Sequence, residues 1–124
     1  MSKVGETTLT LNLLPLEHNY NYLRAKIEPE TKFLGVVKAF AYGSDTVTIA
    51  RKLEQLGADY LAVAYVSEGV LLREAGIQLP ILVLHPLASN FEDLIAHHLE
   101  PSLYSRNILN RFLEAANAKN QKDY

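Results

Sequence analysis

The sequence contains no cysteine among its 124 residues, so neither a disulfide framework nor a thiolate zinc site holds the fold or carries the chemistry. No apolar run approaches the roughly 18 residues that a membrane-spanning helix needs. The amino terminus, MSKVGETTLTL, lacks the charged start and apolar stretch of a signal peptide. The sequence therefore predicts a cytoplasmic protein that does not have a membrane as its partner.

The sequence also has little excess charge, because its acids and bases are interspersed and its formal net charge is -2. This balance does not favour nucleic acid as a partner and leaves a small molecule as the expected one. Hydrophobic residues make up 48% of the chain and charged residues 21%, which is typical of a globular protein and excludes intrinsic disorder. No proline- or serine-rich linker divides the chain, so residues 1–124 are expected to form one domain or part of one.

Segments of strand type and helix type alternate along the chain. The patterns predict strands at 8–13, 33–39, 60–66, 81–84 and 101–104, and helices after Pro15, after Ser44 or Asp45, after Ser67, over 90–98 and over 106–118. Gly57 and Gly76 are expected to end two of these helices. About four βα units in this order are typical of an α/β fold with parallel strands, and the predicted fold is a partial (β/α)8 TIM barrel.

A complete barrel of this kind typically needs about 250 residues. A half barrel leaves two open sheet edges and an uncovered inner face of aliphatic side chains. Both features favour association with another chain. We therefore expect a homo-oligomer.

Lys38 follows the apolar run of residues 33–37 and is predicted to lie at the carboxyl end of its strand, where barrels of this type place functional groups. Alternation places its side chain on the face of Leu34 and Val36. If that face is the barrel interior, the amine reaches the barrel mouth, where it can attack an aldehyde. From spacing alone, a lysine that merely reaches from a strand end into water is the commoner outcome.

The segment Val36-Val37-Lys38-Ala39-Phe40-Ala41-Tyr42-Gly43 resembles the pyridoxal-phosphate attachment segment of the alanine racemase family. Further similar stretches cover most of residues 12–85, namely Leu16-Glu17-His18-Asn19, Gly57-Ala58-Asp59, Ala62-Val63-Ala64, Glu68-Gly69, Leu72-Arg73, Ala75-Gly76-Ile77 and Pro80-Ile81-Leu82-Val83-Leu84. The chain departs from the family where Phe40 replaces a small or polar residue and where Ser44 and Asp45 replace histidine and glycine.

The resemblance implies that Lys38 is the catalytic lysine to which pyridoxal 5'-phosphate attaches. It also implies that Tyr42 contacts the cofactor phosphate and that Leu84 lines the cofactor pocket. A packing tyrosine and a core leucine are the respective alternatives. No metal site is implied, because His97 and His98 are neighbours that point about 100° apart on a helix and are expected to face solvent. His85, at a strand end, keeps a possible pocket role.

The activity that the resemblance implies is the interconversion of L- and D-alanine for peptidoglycan precursor synthesis by a homodimer. In the family, the second base is a tyrosine of the partner subunit's carboxy-terminal domain, and an arginine from a later strand faces the cofactor ring. Both are expected beyond Tyr124, so this chain is predicted to be an incomplete amino-terminal part, inactive alone and weak in cofactor binding. The alternatives are a non-catalytic cofactor-binding fragment and another protein of the same cofactor-barrel class, fold-type III.

Overall fold

The computed structural model describes residues 7–122 and 124. Its sheet has four strands, which are β1 (Leu34–Val36), β2 (Tyr60–Val63), β3 (Ile81–Val83) and β4 (Glu100–Pro101). The helices are α1 (Leu14–Arg24), α2 (Lys38–Gly43), α3 (Thr46–Leu56), α4 (Val66–Glu74), α5 (Phe91–Ala96) and α6 (Arg106–Ala118), with a 3-10 turn at Ala88–Asn90.

Each strand pairs in parallel with the next strand along the chain, in the order β1-β2-β3-β4. Helices α3, α4 and α5 lie in the three connections between these strands, and parallel pairing requires such crossover connections. The structure therefore confirms the predicted partial barrel with about four βα units.

One face of the sheet is buried beneath the helices. Gly35, Leu61 and Ile81 lie in one register row on this face, and Val63 and Val83 lie in the next. Side chains of the helices complete this core, including Ala50, Leu53, Leu72, Phe91, Leu94, Phe112 and Ala116. A Cβ at Gly35 would lie 2.6 Å from Leu53 Cδ1, so α3 approaches the sheet closely at this position.

On the opposite face of the sheet, apolar side chains of β1 remain partly exposed to solvent. Leu34 and Val36 are 42% and 39% exposed, and the row of Val36 continues through Ala62 and Leu82. In a (β/α)8 barrel this face would be the interior, which side chains of the remaining strands fill. We call it the open face.

Several predicted boundaries were wrong. Residues 8–13 alternate in polarity but form no strand, and Leu9 is 67% exposed. The reason is that a strand needs a neighbouring strand for its backbone groups, and none of the described residues pairs with this stretch. The first three strands of the sheet end before the predicted residues 39, 66 and 84, and β4 covers only Glu100–Pro101.

The helix boundaries follow local capping chemistry. Gly57 and Gly76 both adopt φ of 88°, as expected for residues that end helices, and α6 occupies its predicted range. The predicted start at Ser67 was wrong, because α4 begins at Val66 with Tyr65 as its N-cap. Helix α1 includes Pro15 in its first turn and ends at Arg24.

Asp45 is the N-cap of α3, and its Oδ1 accepts a hydrogen bond of 2.7 Å from the Thr48 N–H. The side chain and then the backbone of Thr48 hold the pKa of Asp45 below its ordinary value of 3.8. We predict that Asp45→Ala lowers the free energy of unfolding by about 1 kcal/mol in urea titrations at neutral pH. Asp45→Asn is the control, because its amide oxygen preserves the cap.

The pH dependence of the same variants has a defined sign. A carboxyl whose pKa is depressed by folding stabilises the protein above its unfolded-state pKa, and this stabilisation is lost as the pH falls through the folded-state pKa. The stability difference between the parent chain and Asp45→Ala should therefore shrink in acid. Equal stability of the two proteins at neutral pH would contradict the capping role of Asp45.

Candidate active site

Lys38 lies at the carboxyl edge of the sheet, two residues after β1 ends at Val36. Sheet pairing extends to the residue before it, because the Val37 N–H donates to the Ala62 carbonyl oxygen at 2.9 Å. Lys38 is half-buried. The amine-bearing residue is thus anchored by the sheet on its amino-terminal side, although the predicted strand stops short of it.

Within helix α2, four consecutive residues adopt the left-handed helical conformation. They are Ala39, Phe40, Ala41 and Tyr42, and we call them the left-handed turn. Their φ angles lie between 50° and 60°. The left-handed conformation costs a non-glycine residue roughly 1–2 kcal/mol. Such strain persists only where the surrounding structure holds it, and it clusters at functional sites.

Hydrogen bonds from the chain on either side support the left-handed turn. The Ala41 N–H donates to the Val37 carbonyl oxygen at 3.2 Å, and the Ser44 N–H donates to the Phe40 carbonyl oxygen at 2.8 Å. The Ser44 hydroxyl also donates to the Ala41 carbonyl oxygen at 2.9 Å. Ser44, one of the residues in which the chain departs from the racemase pattern, therefore closes the turn.

Leu84 lies at the same edge of the sheet as Lys38. Its N–H donates to the Val63 carbonyl oxygen at 2.9 Å, so pairing continues one residue past β3. Val36 and Leu82 lie in one row across the sheet, and Lys38 and Leu84 each come two residues later in their own segments of the chain. The Leu84 side chain is 39% exposed and is therefore available to line a site there.

Tyr42 ends the left-handed turn and is 69% exposed. It lines a groove beside β1 with a volume of about 400 Å³, together with Leu34, Val36 and apolar side chains of α1. Neither Lys38 nor Leu84 lines this groove. The structure therefore brings Lys38 and Leu84 to the carboxyl edge of the sheet but places Tyr42 in the groove beside β1.

Glu68 has more contacts at this edge than the sequence indicated. Its Oε2 accepts hydrogen bonds from the N–H groups of Ala64 at 2.7 Å and Tyr65 at 3.0 Å, which caps α4. Its Oε1 accepts a third, of 2.7 Å, from the Ala39 N–H. From the sequence, the only signal for this role was that Glu68 directly follows Ser67, where a helix was predicted to begin.

His85 lies between two tyrosines at the carboxyl edge. Its ring stacks on Tyr104 with centroids 5.6 Å apart, and it meets the edge of Tyr65 at 5.9 Å. All three side chains are exposed. The aromatic partners explain the orientation of His85 without a ligand.

A polar pair lies on the open face, where the Tyr60 hydroxyl donates a hydrogen bond to Glu100 Oε2. This bond, assisted by burial and by the negative charge of Glu100, raises the pKa of Tyr60 to about 12. The pair links β2 to β4 across the intervening strand β3. Its position fits a structural role in the barrel interior.

Neither a membrane span nor a metal site occurs in the described part of the chain. Within residues 7–122 and 124, no helix is both long and apolar enough to cross a bilayer. The same residues bring together no group of three or more histidine, aspartate or glutamate side chains suited to a metal ion. The His97 Nδ1 lies 2.8 Å from the Asp93 carbonyl oxygen of its own helix.

The family model and the sequence relatives that match this chain are all described as alanine racemase. The family model described as alanine racemase, N-terminal domain, matches residues 11–123. An alanine racemase of a Synechocystis strain is 47% identical over 92 residues, which are 73% of this chain and 25% of that protein. One of Syntrophobacter fumaroxidans is 37% identical over 118 residues, or 94% of this chain and 32% of that protein.

Solved structures agree with the sequence relatives. The alanine racemase of Clostridium difficile superposes with a TM-score of 0.82 at 39% identity, over 85% of this chain and 28% of that one. The chain thus spans about a quarter to a third of the length of the relatives it matches. The match to the family model extends past Leu84, although the sequence stretches that resemble the family end near that residue.

The pair on the open face yields a prediction. Glu100→Gln should lower the pKa of Tyr60 from about 12 toward its ordinary value of 10.0, because the charged acceptor is removed. Absorbance titration of the tyrosinates measures this change, with Glu92→Gln on the exposed surface of α5 as the control. An unchanged tyrosinate titration in Glu100→Gln would show that the pair does not form in solution.

The sign of the accompanying stability change is also fixed. Folding raises the pKa of Tyr60, so its contribution to stability is complete below the unfolded-state value of about 10 and is lost as the pH rises through about 12. Glu100→Gln should therefore lose less stability than the parent chain over this alkaline range.

Proposed function

Because this chain belongs to the alanine racemase family, we propose that it supplies the amino-terminal part of a pyridoxal-phosphate-dependent enzyme that interconverts L- and D-alanine. The observation that carries the proposal is the position of Lys38, at the carboxyl edge of a parallel half barrel and within a segment of the racemase pattern. Functional groups in such barrels come from this edge.

Residues at the carboxyl edge and in the groove beside β1 carry groups that suit pyridoxal 5'-phosphate. Lys38 offers a primary amine for the cofactor aldehyde, Leu84 offers an accessible apolar surface for its ring, and Tyr42 offers a phenolic donor for its phosphate. When bound, the cofactor supplies the electron sink that stabilises negative charge at the substrate Cα. We propose Lys38 as the catalytic residue and Lys38, Tyr42 and Leu84 as the cofactor-binding residues.

The proposed role of Lys38 in the reaction is to remove a proton from, or return one to, the Cα of alanine. Racemisation needs a second base on the opposite face of the substrate. The matched part of this chain covers about a quarter to a third of each relative, and we propose that the rest of the relative corresponds to the source of that base. These 124 residues alone should then bind the cofactor weakly and show no turnover.

Membership of the alanine racemase family supports further parts of the proposal. The substrate is alanine, the product serves peptidoglycan precursor synthesis, and the enzyme acts in the cytoplasm as a homodimer. Residues 1–124 form the amino-terminal portion of its cofactor-binding barrel. The uncovered open face and the free edges of the sheet support a requirement for further chain or for a partner.

A second candidate is a non-catalytic fragment of a cofactor-binding barrel. It is supported by the separation of Tyr42, which lines the groove beside β1, from Lys38 and Leu84, which do not. In this alternative the chain holds pyridoxal phosphate without racemising alanine. The tests below distinguish the two candidates.

Racemase activity is tested in a hybrid in which this chain replaces the matching stretch of the Clostridium difficile alanine racemase. The hybrid should form D-alanine from L-alanine, and Lys38→Ala should reduce kcat at least about 10³-fold, because the amine that moves the proton is lost. Chiral analysis of the product measures turnover, and peptide mass after borohydride reduction locates the cofactor.

Lys32→Ala is the matched control, since Lys32 is exposed and lies just before the opposite end of β1. The control hybrid should keep its activity and its reduced cofactor adduct on Lys38. A cofactor adduct on Lys38 without D-alanine formation would favour the non-catalytic candidate. Full activity in Lys38→Ala would refute the assignment of the catalytic lysine.

The proposed phosphate contact is tested with Tyr42→Phe in the same hybrid. Loss of one hydrogen bond to a charged group weakens binding by roughly 1.5–3 kcal/mol, so the Kd for pyridoxal phosphate should rise about 10-fold to 100-fold. Equilibrium dialysis measures the Kd, and Tyr22→Phe, an exposed tyrosine of α1, should leave it unchanged. Equal Kd values for the two variants would exclude the phosphate contact.

A further inference from the structure

We infer that Glu68 is a positioning residue for Lys38, holding the backbone directly after the lysine against the turn between β2 and α4. This inference rests on the proposed function, in which Lys38 is the catalytic amine. Oε1 of Glu68 accepts the 2.7 Å hydrogen bond from the Ala39 N–H, 29 positions away along the chain. Oε2 accepts bonds from Ala64 and Tyr65 in its own turn.

The two oxygens of Glu68 therefore have separate tasks. Oε2 caps the start of α4, and Oε1 reaches the neighbouring βα connection. A helix cap needs only the first of these contacts, so capping alone does not explain the second. The carboxylate joins the carboxyl ends of β1 and β2 just after Val36 and Ala62, the last register pair of these two strands.

The carboxylate contacts the chain where it passes from the sheet into the left-handed turn. Lys38 lies between Val37, whose N–H is held by the sheet, and Ala39, where the left-handed turn begins. The hydrogen bonds within the turn fix Ala41 and Ser44 but leave the Ala39 N–H to Glu68. With both flanking amides fixed, the starting direction of the Lys38 side chain is fixed as well.

The bond is also of a strong kind, because an ionised carboxylate accepts it. Replacement by glutamine separates the two tasks of the side chain. Glutamine has one acceptor oxygen, so an oxygen that caps α4 leaves an NH₂ group facing the Ala39 N–H. Glu68→Gln should thus keep the helix cap and lose the contact to the lysine segment.

Glu54 provides a matched control. It is half-buried like Glu68, and its Oε1 accepts bonds from the N–H groups of Gln78 at 2.7 Å and Leu79 at 3.1 Å, which lie before the amino-terminal end of β3. Glu54→Gln is therefore the same substitution in a similar bridge at the opposite edge of the sheet. It leaves the lysine segment untouched.

The first test measures amide protons of this chain by NMR, without cofactor. In the parent chain, the amides of Ala39, Ala64 and Tyr65 should all be protected from hydrogen exchange, because each donates to the Glu68 carboxylate. In Glu68→Gln, hydrogen exchange at Ala39 should accelerate at least about tenfold, while the amides of Ala64 and Tyr65 should stay protected. An Ala39 amide that behaves alike in parent, Glu68→Gln and Glu54→Gln proteins would overturn the inference.

The second test uses the hybrid racemase and separates the inference from the proposed function. Glu68→Gln should reduce kcat about tenfold or more with little change in KM, while Glu54→Gln should change neither. A released Ala39 amide with unchanged kcat would overturn the positioning role while leaving Lys38 as the catalytic residue. An inactive parent hybrid would instead count against the proposed function, and hydrogen exchange at Ala39 would still decide the Glu68 contact.

Discussion

Parallel pairing of β1 with β2 is the interaction on which the arrangement of the proposed site depends. It places the carboxyl ends of successive strands at one edge, so residues far apart in the chain become neighbours there. Lys38 and Leu84 share this edge because each follows the same register row by two residues. Without the hydrogen bond from Val37 to Ala62, the lysine segment would lose its fixed end.

The sheet formed by this pairing has one face that its own helices cover and one face that remains partly exposed. The face under the helices is closed by Leu53, Leu72 and other apolar side chains, and hydrophobic burial there stabilises the half barrel. The open face keeps Leu34 and Val36 accessible to solvent. A fold of this kind stabilises one side by itself and depends on further strands, or on another chain, for the other.

Local chemistry explains which features could be predicted from the sequence. Asp45 and Gly57 mark the ends of α3 because a side-chain acceptor and a residue that tolerates positive φ act within one turn of the helix. Alternation also placed Leu34 and Val36 on a common face. The strand expected at 8–13 was wrong because alternation describes a surface that suits a sheet and does not supply the neighbouring strand.

The features that could not be predicted depend on contacts between distant residues. Positive φ at four residues that include no glycine goes against local preference, so no pattern in residues 39–42 indicates a left-handed turn. The glutamate that meets its first amide lies 29 positions further along the chain. The sheet brings the left-handed turn and the Glu68 carboxylate together. The charge-assisted hydrogen bond between them then offsets part of the conformational cost of the turn.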